Sequence, residues 1–262
     1  MKVAAAQFAP TGDISDNLAV IDEMTAEAVA SGAQLVIFPE ESMTPSGEVA
    51  SLRETADQHW PGFLGGVKAI ASKHGVAVIA GGYEGSGTAL PYNTIVAVDA
   101  HGEQLAGYRK MHLYDAFDYQ ESREIMRGEN APCVVRIGEF NVGLVNCYDL
   151  RFPEFSRLLV EMGADLLSVS AAWVKGPLKE DHWTTLLRGR AIENTCWVVA
   201  SSSSAADCIG MSTAIDPLGV VRSALGGERR GLLVVDADRE RMDDARTRLP
   251  VLRNRRIIIG PR

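Results

Sequence analysis

Cysteine is scarce in these 262 residues: Cys133, Cys147, Cys196 and Cys208 show neither CxxC spacing nor a paired framework. Such spacing points to free thiols in a reducing cytoplasm, three of them serving as small core residues. Long hydrophobic runs are also missing, and no apolar stretch approaches the roughly 20 residues that span a bilayer. The N-terminal Met1-Lys2-Val3-Ala4-Ala5-Ala6-Gln7-Phe8 runs straight into a strand pattern, without the apolar core and cleavage site of a secretion signal. Positive charge is in deficit, with 26 Lys and Arg against 34 Asp and Glu and a formal charge of −8. Nucleic acid and anionic membranes reward clustered Lys and Arg, so neither is expected as a partner. The basic stretch Arg253-Asn254-Arg255-Arg256 is too short to reverse that balance.

What remains is an ordinary globular composition, 46% hydrophobic and 23% charged. No linker or low-complexity segment divides the chain, which reads as one domain over residues 1–262. Strand and helix patterns alternate throughout. The first half reads as strand Lys2–Phe8, helix Asn17–Ser31, strand Gln34–Phe38, helix Pro61–His74 and strand Val76–Tyr83. A hairpin follows, Thr94–Asp99 and Glu103–Arg109 around Ala100-His101-Gly102. The second half repeats the logic: strand Phe140–Cys147, helix Pro153–Met162, strand Asp165–Ser170, helix Glu180–Asn194 and extended Cys196–Ser201. Asp216-Pro217-Leu218-Gly219 turns between two further strands, then come strand Leu232–Asp236 and charged helix Arg239–Arg248. The fold class is α/β, two strand–helix–strand halves able to pair their sheets face to face.

Three chemically useful residues close apolar strands. Glu40 follows Leu35-Val36-Ile37-Phe38-Pro39, Lys110 follows Leu105-Ala106-Gly107-Tyr108-Arg109, and Cys147 follows Val142-Gly143-Leu144-Val145-Asn146. A free thiol with a pKa of about 8.5 is only about 3% thiolate at neutral pH, so a nucleophilic cysteine needs a base or a cation beside it. None of the five histidines sits after a buried strand. Glu40 does, and partial shielding from water is expected to raise its pKa enough to act as base. Lys110 offers a fixed positive charge for an oxyanion. The plain alternative makes Glu40 a loop cap, Lys110 a solvated rim charge and Cys147 core filler. His112 with Asp115, and His182 with neighbouring acids, read as hydrogen-bonded scaffold rather than metal ligands. Ser201-Ser202-Ser203-Ser204 lacks a lysine partner and reads as a turn beyond a strand.

Phe38-Pro39-Glu40, Tyr108-Arg109-Lys110-Met111-His112-Leu113 and Asn146-Cys147-Tyr148-Asp149-Leu150-Arg151-Phe152-Pro153-Glu154 resemble the three signatures of the nitrilase (carbon–nitrogen hydrolase) superfamily, in the same order. The similarity extends to Tyr92-Asn93-Thr94, Tyr119-Gln120-Glu121-Ser122 and His182-Trp183 through Asn194. The resemblance implies a four-layer αββα sandwich, with Cys147 as nucleophile, Glu40 as general base and acid, and Lys110 as oxyanion stabiliser. It further implies that the Tyr148 backbone N–H completes the oxyanion hole and that Glu121 positions substrate and Lys110. No metal or organic cofactor is implied. A homodimer or larger homo-oligomer, built through surface helices, is.

The wording around Lys110, Glu121, Cys147 and His182–Asn194 looks most like the omega-amidase and deaminated-glutathione amidase branch. That implies a cytoplasmic thiol amidase, passing through a thioester, that cleaves a small carboxylated linear amide with water. Alternatives are an N-carbamoyl amine hydrolase, a nitrilase, or a non-catalytic member that binds a ligand or partner. Ser204–Met211 is shorter than such relatives usually have, and that segment shapes the pocket. Arg151 is a candidate contact for a substrate carboxylate, with a structural ion pair as the alternative. Trp173 is a candidate pocket wall, with core packing as the alternative, and His182 is a further candidate contact.

Overall fold

Strands covered on both faces must be apolar on both faces, and the runs Leu35–Ile37 and Leu166–Ala171 are buried at every position. The computed structural model describes residues 1–257 apart from positions 118 and 130. The last five positions of the expected domain, 258–262, lie outside the described residues. In chain order the first half comprises β1 (Lys2–Phe8), α1 (Ile14–Ala30), β2 (Leu35–Ile37), α2 (Leu52–His74), β3 (Ala77–Glu84), β4 (Tyr92–Val98) and β5 (Gln104–Arg109). A short hairpin follows, β6 (Asp115–Ala116) and β7 (Tyr119–Gln120). The second half comprises β8 (Val134–Ile137), β9 (Phe140–Asn146), α3 (Pro153–Glu161), β10 (Leu166–Ala171), α4 (Lys179–Asn194) and β11 (Trp197–Ser202). It ends with β12 (Thr213–Ile215), β13 (Val221–Ala224), β14 (Arg230–Asp236), α5 (Arg239–Arg248) and α6 (Val251–Asn254).

The strands form two six-stranded sheets, ordered β14-β1-β2-β3-β4-β5 and β13-β12-β11-β10-β9-β8. Each has three parallel strands at its centre, β1–β2–β3 and β9–β10–β11, with antiparallel strands outside. One face of the first sheet packs Ala4, Val36 and Val78 against Ile21, Phe63 and Val67 of α1 and α2. Its other face joins Val3, Leu35 and Ile79 to the second sheet's core, which also takes in Phe155 of α3 and Leu187 of α4. The order of layers is α, β, β, α, as the resemblance implied. Hydroxyls tie the two sheets together: Ser170 Oγ donates to the Phe38 carbonyl at 2.7 Å, and Ser201 Oγ donates to the Ala6 carbonyl. The serine run is therefore not a turn. Ser201 and Ser202 end β11, and all four serines are buried. Among the described residues no helix is long and apolar enough to cross a membrane.

Local chemistry sets most boundaries. Asp13 caps α1 by accepting from the Ser15 and Asp16 N–H groups. Pro153 opens α3 at a position where no backbone donor is lost. The one large difference is α2, which begins at Leu52 rather than Pro61. Ser51 caps the true start through the Glu54 N–H, and buried Ala56 and Trp60 carry the apolar stripe through the proline.

The segment that follows β2 crosses β3 at close range, and Gly81 makes this possible. A Cβ at Gly81 would lie 1.9 Å from the Glu40 carbonyl oxygen, against backbone rather than a movable side chain. Gly65, inside α2, has nothing within 4 Å of the equivalent point. Gly81→Ala is expected to lower stability by about 1–3 kcal/mol in urea unfolding, as overpacking does. Gly65→Ala is expected to be neutral or to raise stability by up to about 1 kcal/mol. Equal effects of the two substitutions would contradict the close-approach account.

Candidate active site

The thiol sits on a strained turn. The strand expected to run through Cys147 ends at Asn146, and Cys147 opens a tight turn, Cys147–Arg151, at φ +45°. That left-handed backbone is costly for a residue with a Cβ and persists only where neighbours fix it. Buried Asp149 does the fixing. Its Oδ2 accepts from Tyr108 O–H at 2.8 Å and the Asn146 N–H at 3.3 Å. Its Oδ1 accepts the His112 N–H at 3.2 Å and lies 2.6 Å from His112 Nδ1. The His112 ring stacks on Phe152 with centroids 3.8 Å apart. Asn146 Nδ2 donates to Asn93 Oδ1 at 2.8 Å.

Beside the thiol, the structure brings together Glu40, Lys110 and Glu121, all buried. Lys110 Nζ donates to Glu40 Oε1 at 2.7 Å and to the two Glu121 oxygens at 3.0 and 2.9 Å. Glu40 Oε1 also accepts from Asn93 Nδ2 at 2.8 Å, and its Oε2 accepts the Ala172 N–H, just past β10, at 2.9 Å. Glu121 is held further by the Tyr114 N–H at 2.6 Å and Asn93 Nδ2 at 3.2 Å. The Cys147 thiol lines the same cavity and lies in the field of the Glu40 and Lys110 charges. Asn93, Asn146, Asp149 and His112 do not stand out as site residues in the sequence, although all lie in or beside the quoted motifs.

Electrostatics corrects one expectation. Burial pushes the Glu40 carboxyl up, but the Lys110 charge and its hydrogen bond, with the Ala172 N–H, outweigh it and hold Glu40 below the usual carboxylate range. Glu40 is not raised. Burial alone would strip the proton from Lys110, yet the Glu121 and Glu40 charges hold its ammonium well above the usual lysine range. Burial and the Glu40 charge push the Cys147 thiol well up, against the pull of Lys110. The resting site therefore holds a neutral thiol in the field of an ionised carboxylate.

These groups open on a cavity of about 520 Å³. Trp173 and Arg151 line it, as expected of pocket residues. The Arg151 guanidinium lies 4.7 Å from the Trp173 ring centre, and its buried Nη2 has no partner among the described residues. His182 does not line the cavity. On α4 the inward positions are Lys179 and Trp183, both buried, and the helical period turns His182 aside. Lys179 takes the expected place: its Nζ donates to Tyr114 O–H at 2.6 Å and lies 4.6 Å from the Phe117 ring centre. Burial and the neighbouring Arg151 charge hold Lys179 below the usual lysine range. The thiols also depart from expectation, since Cys133 is only half-buried and Cys208 lines the cavity; Cys196 alone is plain core. Among the described residues no cluster of His, Cys, Asp and Glu has the grouping to hold a metal ion.

Glu41, next to Glu40, lines the cavity as well, and burial together with the Glu40 charge raises its carboxyl to about 7. A carboxyl raised in the folded state adds stability that is full below its ordinary 4.5 and is lost as pH rises through about 7. Glu41→Gln removes that titration. The melting temperature of the unsubstituted chain, relative to Glu41→Gln, is expected to fall between about pH 5 and about pH 8. A constant difference across that range would contradict the raised carboxyl.

With this geometry in place, comparison with known proteins is informative. The carbon–nitrogen hydrolase family pattern matches residues 2–247. A deaminated glutathione amidase of Escherichia coli O157:H7 is 38% identical over 257 residues, covering 98% of this chain and 97% of that protein. A 2-oxoglutaramate amidase of Bacillus subtilis is 34% identical over 234 residues, 87% of each. Among solved structures, an amidase of Nesterenkonia sp. AN1 with acrylamide added to its active-site cysteine superposes with a TM-score of 0.80 at 29% identity, covering 95% of this chain and 98% of that one. On its folded layers, its converging side chains and these likenesses, the chain belongs to the carbon–nitrogen hydrolase family, the nitrilase superfamily.

Proposed function

We propose that this chain is a thiol amidase of the omega-amidase kind, with Cys147 as nucleophile, Glu40 as general base and acid, and Lys110 as oxyanion stabiliser. The observation that carries the reading is the Lys110 ammonium, buried and shared between Glu40 and Glu121, with the Cys147 thiol in their field at the wall of the same cavity. Cys147 attacks the amide carbonyl as its proton passes to Glu40. Because the thiol is held up and Glu40 down, that transfer is uphill in the empty site. Stabilisation of the new oxyanion by Lys110 and the Tyr148 N–H drives it. Glu40 then protonates the departing ammonia, leaving an acyl thioester. A water that loses its proton to Glu40 hydrolyses the thioester and restores the thiol. Glu121 touches no reacting bond in this scheme; it fixes Lys110 and lets Glu40 cycle without the ammonium moving.

The carboxylate of the substrate meets Arg151 and Lys179. The support is that both cations line the cavity, Arg151 with a buried, unpartnered Nη2, and that burial and the Arg151 charge hold Lys179 below the usual lysine range until an anion arrives. Relatives named for deaminated glutathione and 2-oxoglutaramate agree with a small carboxylated amide. We further propose one functional domain over residues 1–262, a cytoplasmic setting, and pairing of copies through surface helices. Exposed Leu158 and Met162 beside α3 and Ile192 on α4 support the last.

An ammonia-release panel of omega-amides, N-carbamoyl amino acids and nitriles tests the reading. Turnover of the omega-amides is expected. Turnover confined to either other class would move the assignment, and silence from folded protein would favour a binding role. Glu40→Gln is expected to cut turnover by about 10²–10⁴, the range of acid–base groups, with the melting temperature retained; near-normal turnover would send the proton elsewhere. Arg151→Met is expected to raise KM for carboxylated amides by about tenfold while sparing uncharged ones, the effect of one charge-assisted contact. An equal change for both classes would contradict the carboxylate role.

A further inference from the structure

Helix α4 buries one face, and Lys179, Trp183, Leu187 and Arg190 lie along it. Lys179 and Arg190 stand three turns apart, about 16 Å, so the helix that brings one cation to the cavity carries a second beyond it. Arg190 does not line the cavity and is only 5% exposed. Its Nε and Nη2 both donate to the Leu150 carbonyl, at 3.0 and 2.7 Å. Its Nη1 donates to partly exposed Glu193 at 3.0 Å. Leu150 belongs to the turn after β9, one residue before Arg151. A buried guanidinium is costly unless its donors are met, and here one peptide oxygen meets two of its three nitrogens. The planar fork makes such a two-point grip; the single nitrogen of a lysine does not.

The gripped carbonyl shares a rigid peptide plane with the Arg151 nitrogen, so the grip fixes where the Arg151 side chain begins. Arg151 depends on that support, because it has no ion pair among the described residues. Its guanidinium lies 4.7 Å from the Trp173 ring centre and 5.9 Å from that of Tyr148, with Nη2 buried and unpartnered. Ring faces attract a cation without fixing its direction as a bidentate partner does. The start of the same turn is fixed separately, through Asp149. We propose that Arg190 is a positioning residue for substrate recognition: by gripping the Leu150 carbonyl it holds Arg151 in place for the carboxylate of the substrate, without touching the substrate itself. This rests on the carboxylate role given to Arg151 above. Because Asp149 anchors the Cys147 end of the turn, loss of the grip is felt at Arg151, in binding, rather than at the thiol, in chemistry. No covalent step is added.

Steady-state kinetics on a matched pair of amides test the assignment: glutaramate, and pentanamide, which has a methyl group in place of the carboxylate. Arg190→Lys keeps the charge but not the two-point grip. It is expected to raise KM for glutaramate about five- to tenfold, with kcat within about twofold and pentanamide unaffected. A double-mutant cycle with Arg151→Met supplies a readout that general loosening of the fold would not move. Added to Arg151→Met, Arg190→Lys is expected to raise KM for glutaramate no further, since the cation it positions is gone. Glu193→Gln, which removes the ion pair and leaves the grip, is expected to keep KM within about twofold of the unsubstituted value. Independent effects in the cycle, equal changes for both amides, or a Glu193→Gln effect as large as that of Arg190→Lys would each overturn the assignment. Arg190→Gln, with its single amide donor, is read in the same way if Arg190→Lys does not fold. Failure of both to fold would make Arg190 a scaffold residue and overturn the assignment too. Arg151→Met alone reports on the carboxylate reading, and ammonia release from glutaramate on the amidase reading, so each conclusion can fail separately.

Discussion

One buried ammonium organises this site. Two carboxylates that close together repel, and Glu40 alone would be driven toward the neutral acid by burial. Lys110, paired with Glu40 and Glu121, holds Glu40 ionised, and the two carboxylates in turn keep the lysine's proton in place. The three side chains form one ion-paired set. Removing the ammonium would leave two buried carboxylates facing each other, so the arrangement depends on Lys110 more than on either acid.

The fold serves that arrangement by delivering strand ends to one place. Glu40, Lys110, Cys147 and the Ala172 N–H all lie just past the C-terminal ends of β2, β5, β9 and β10. In open sheets with parallel centres, such ends are where ligand sites form. Facing the two sheets brings ends from both halves to one cavity, so Glu40 and Lys110 come from one half and the Cys147 thiol from the other. The strained turn at Cys147 is stabilised from beneath by Asp149, which gathers Tyr108, His112 and the Asn146 N–H. Tyr108 and His112 flank Lys110 in the chain. The same short segment therefore holds the cation and braces the turn at Cys147.

Much of this is legible in the residues, and the failures have physical causes. Largely apolar runs locate the central strands because strands buried on both faces admit a polar side chain only where it finds a partner, as Ser170 does. Glu40, Lys110 and Cys147 stand out because a reactive or charged side chain closing a buried strand is held rigidly where a pocket can open. The ionisation of Glu40 reads the wrong way in the sequence because its partner Lys110 lies 70 residues on, where no local pattern reports it. Lys179 stays hidden in Lys179-Glu180-Asp181, which reads as a solvated helix start. His182 looks the better contact until the helical period is followed round to the inward face. Pro61 disguises the part of α2 from Leu52 to Trp60 as loop, since proline ordinarily begins a helix rather than interrupting one. The pairing of Glu41 with Tyr83 joins two strands' neighbourhoods and has no signature in either.

The proposal on which the rest stands is that a single sulfur, on the turn after β9, forms the covalent intermediate under the control of Glu40 and Lys110. Peptide mapping by mass spectrometry after exposure to a slowly hydrolysed amide tests it directly. The account predicts an acyl group on Cys147, lost again as the thioester hydrolyses, with Cys133, Cys196 and Cys208 unmodified. An acyl group on any other cysteine, with Cys147 untouched, would contradict it.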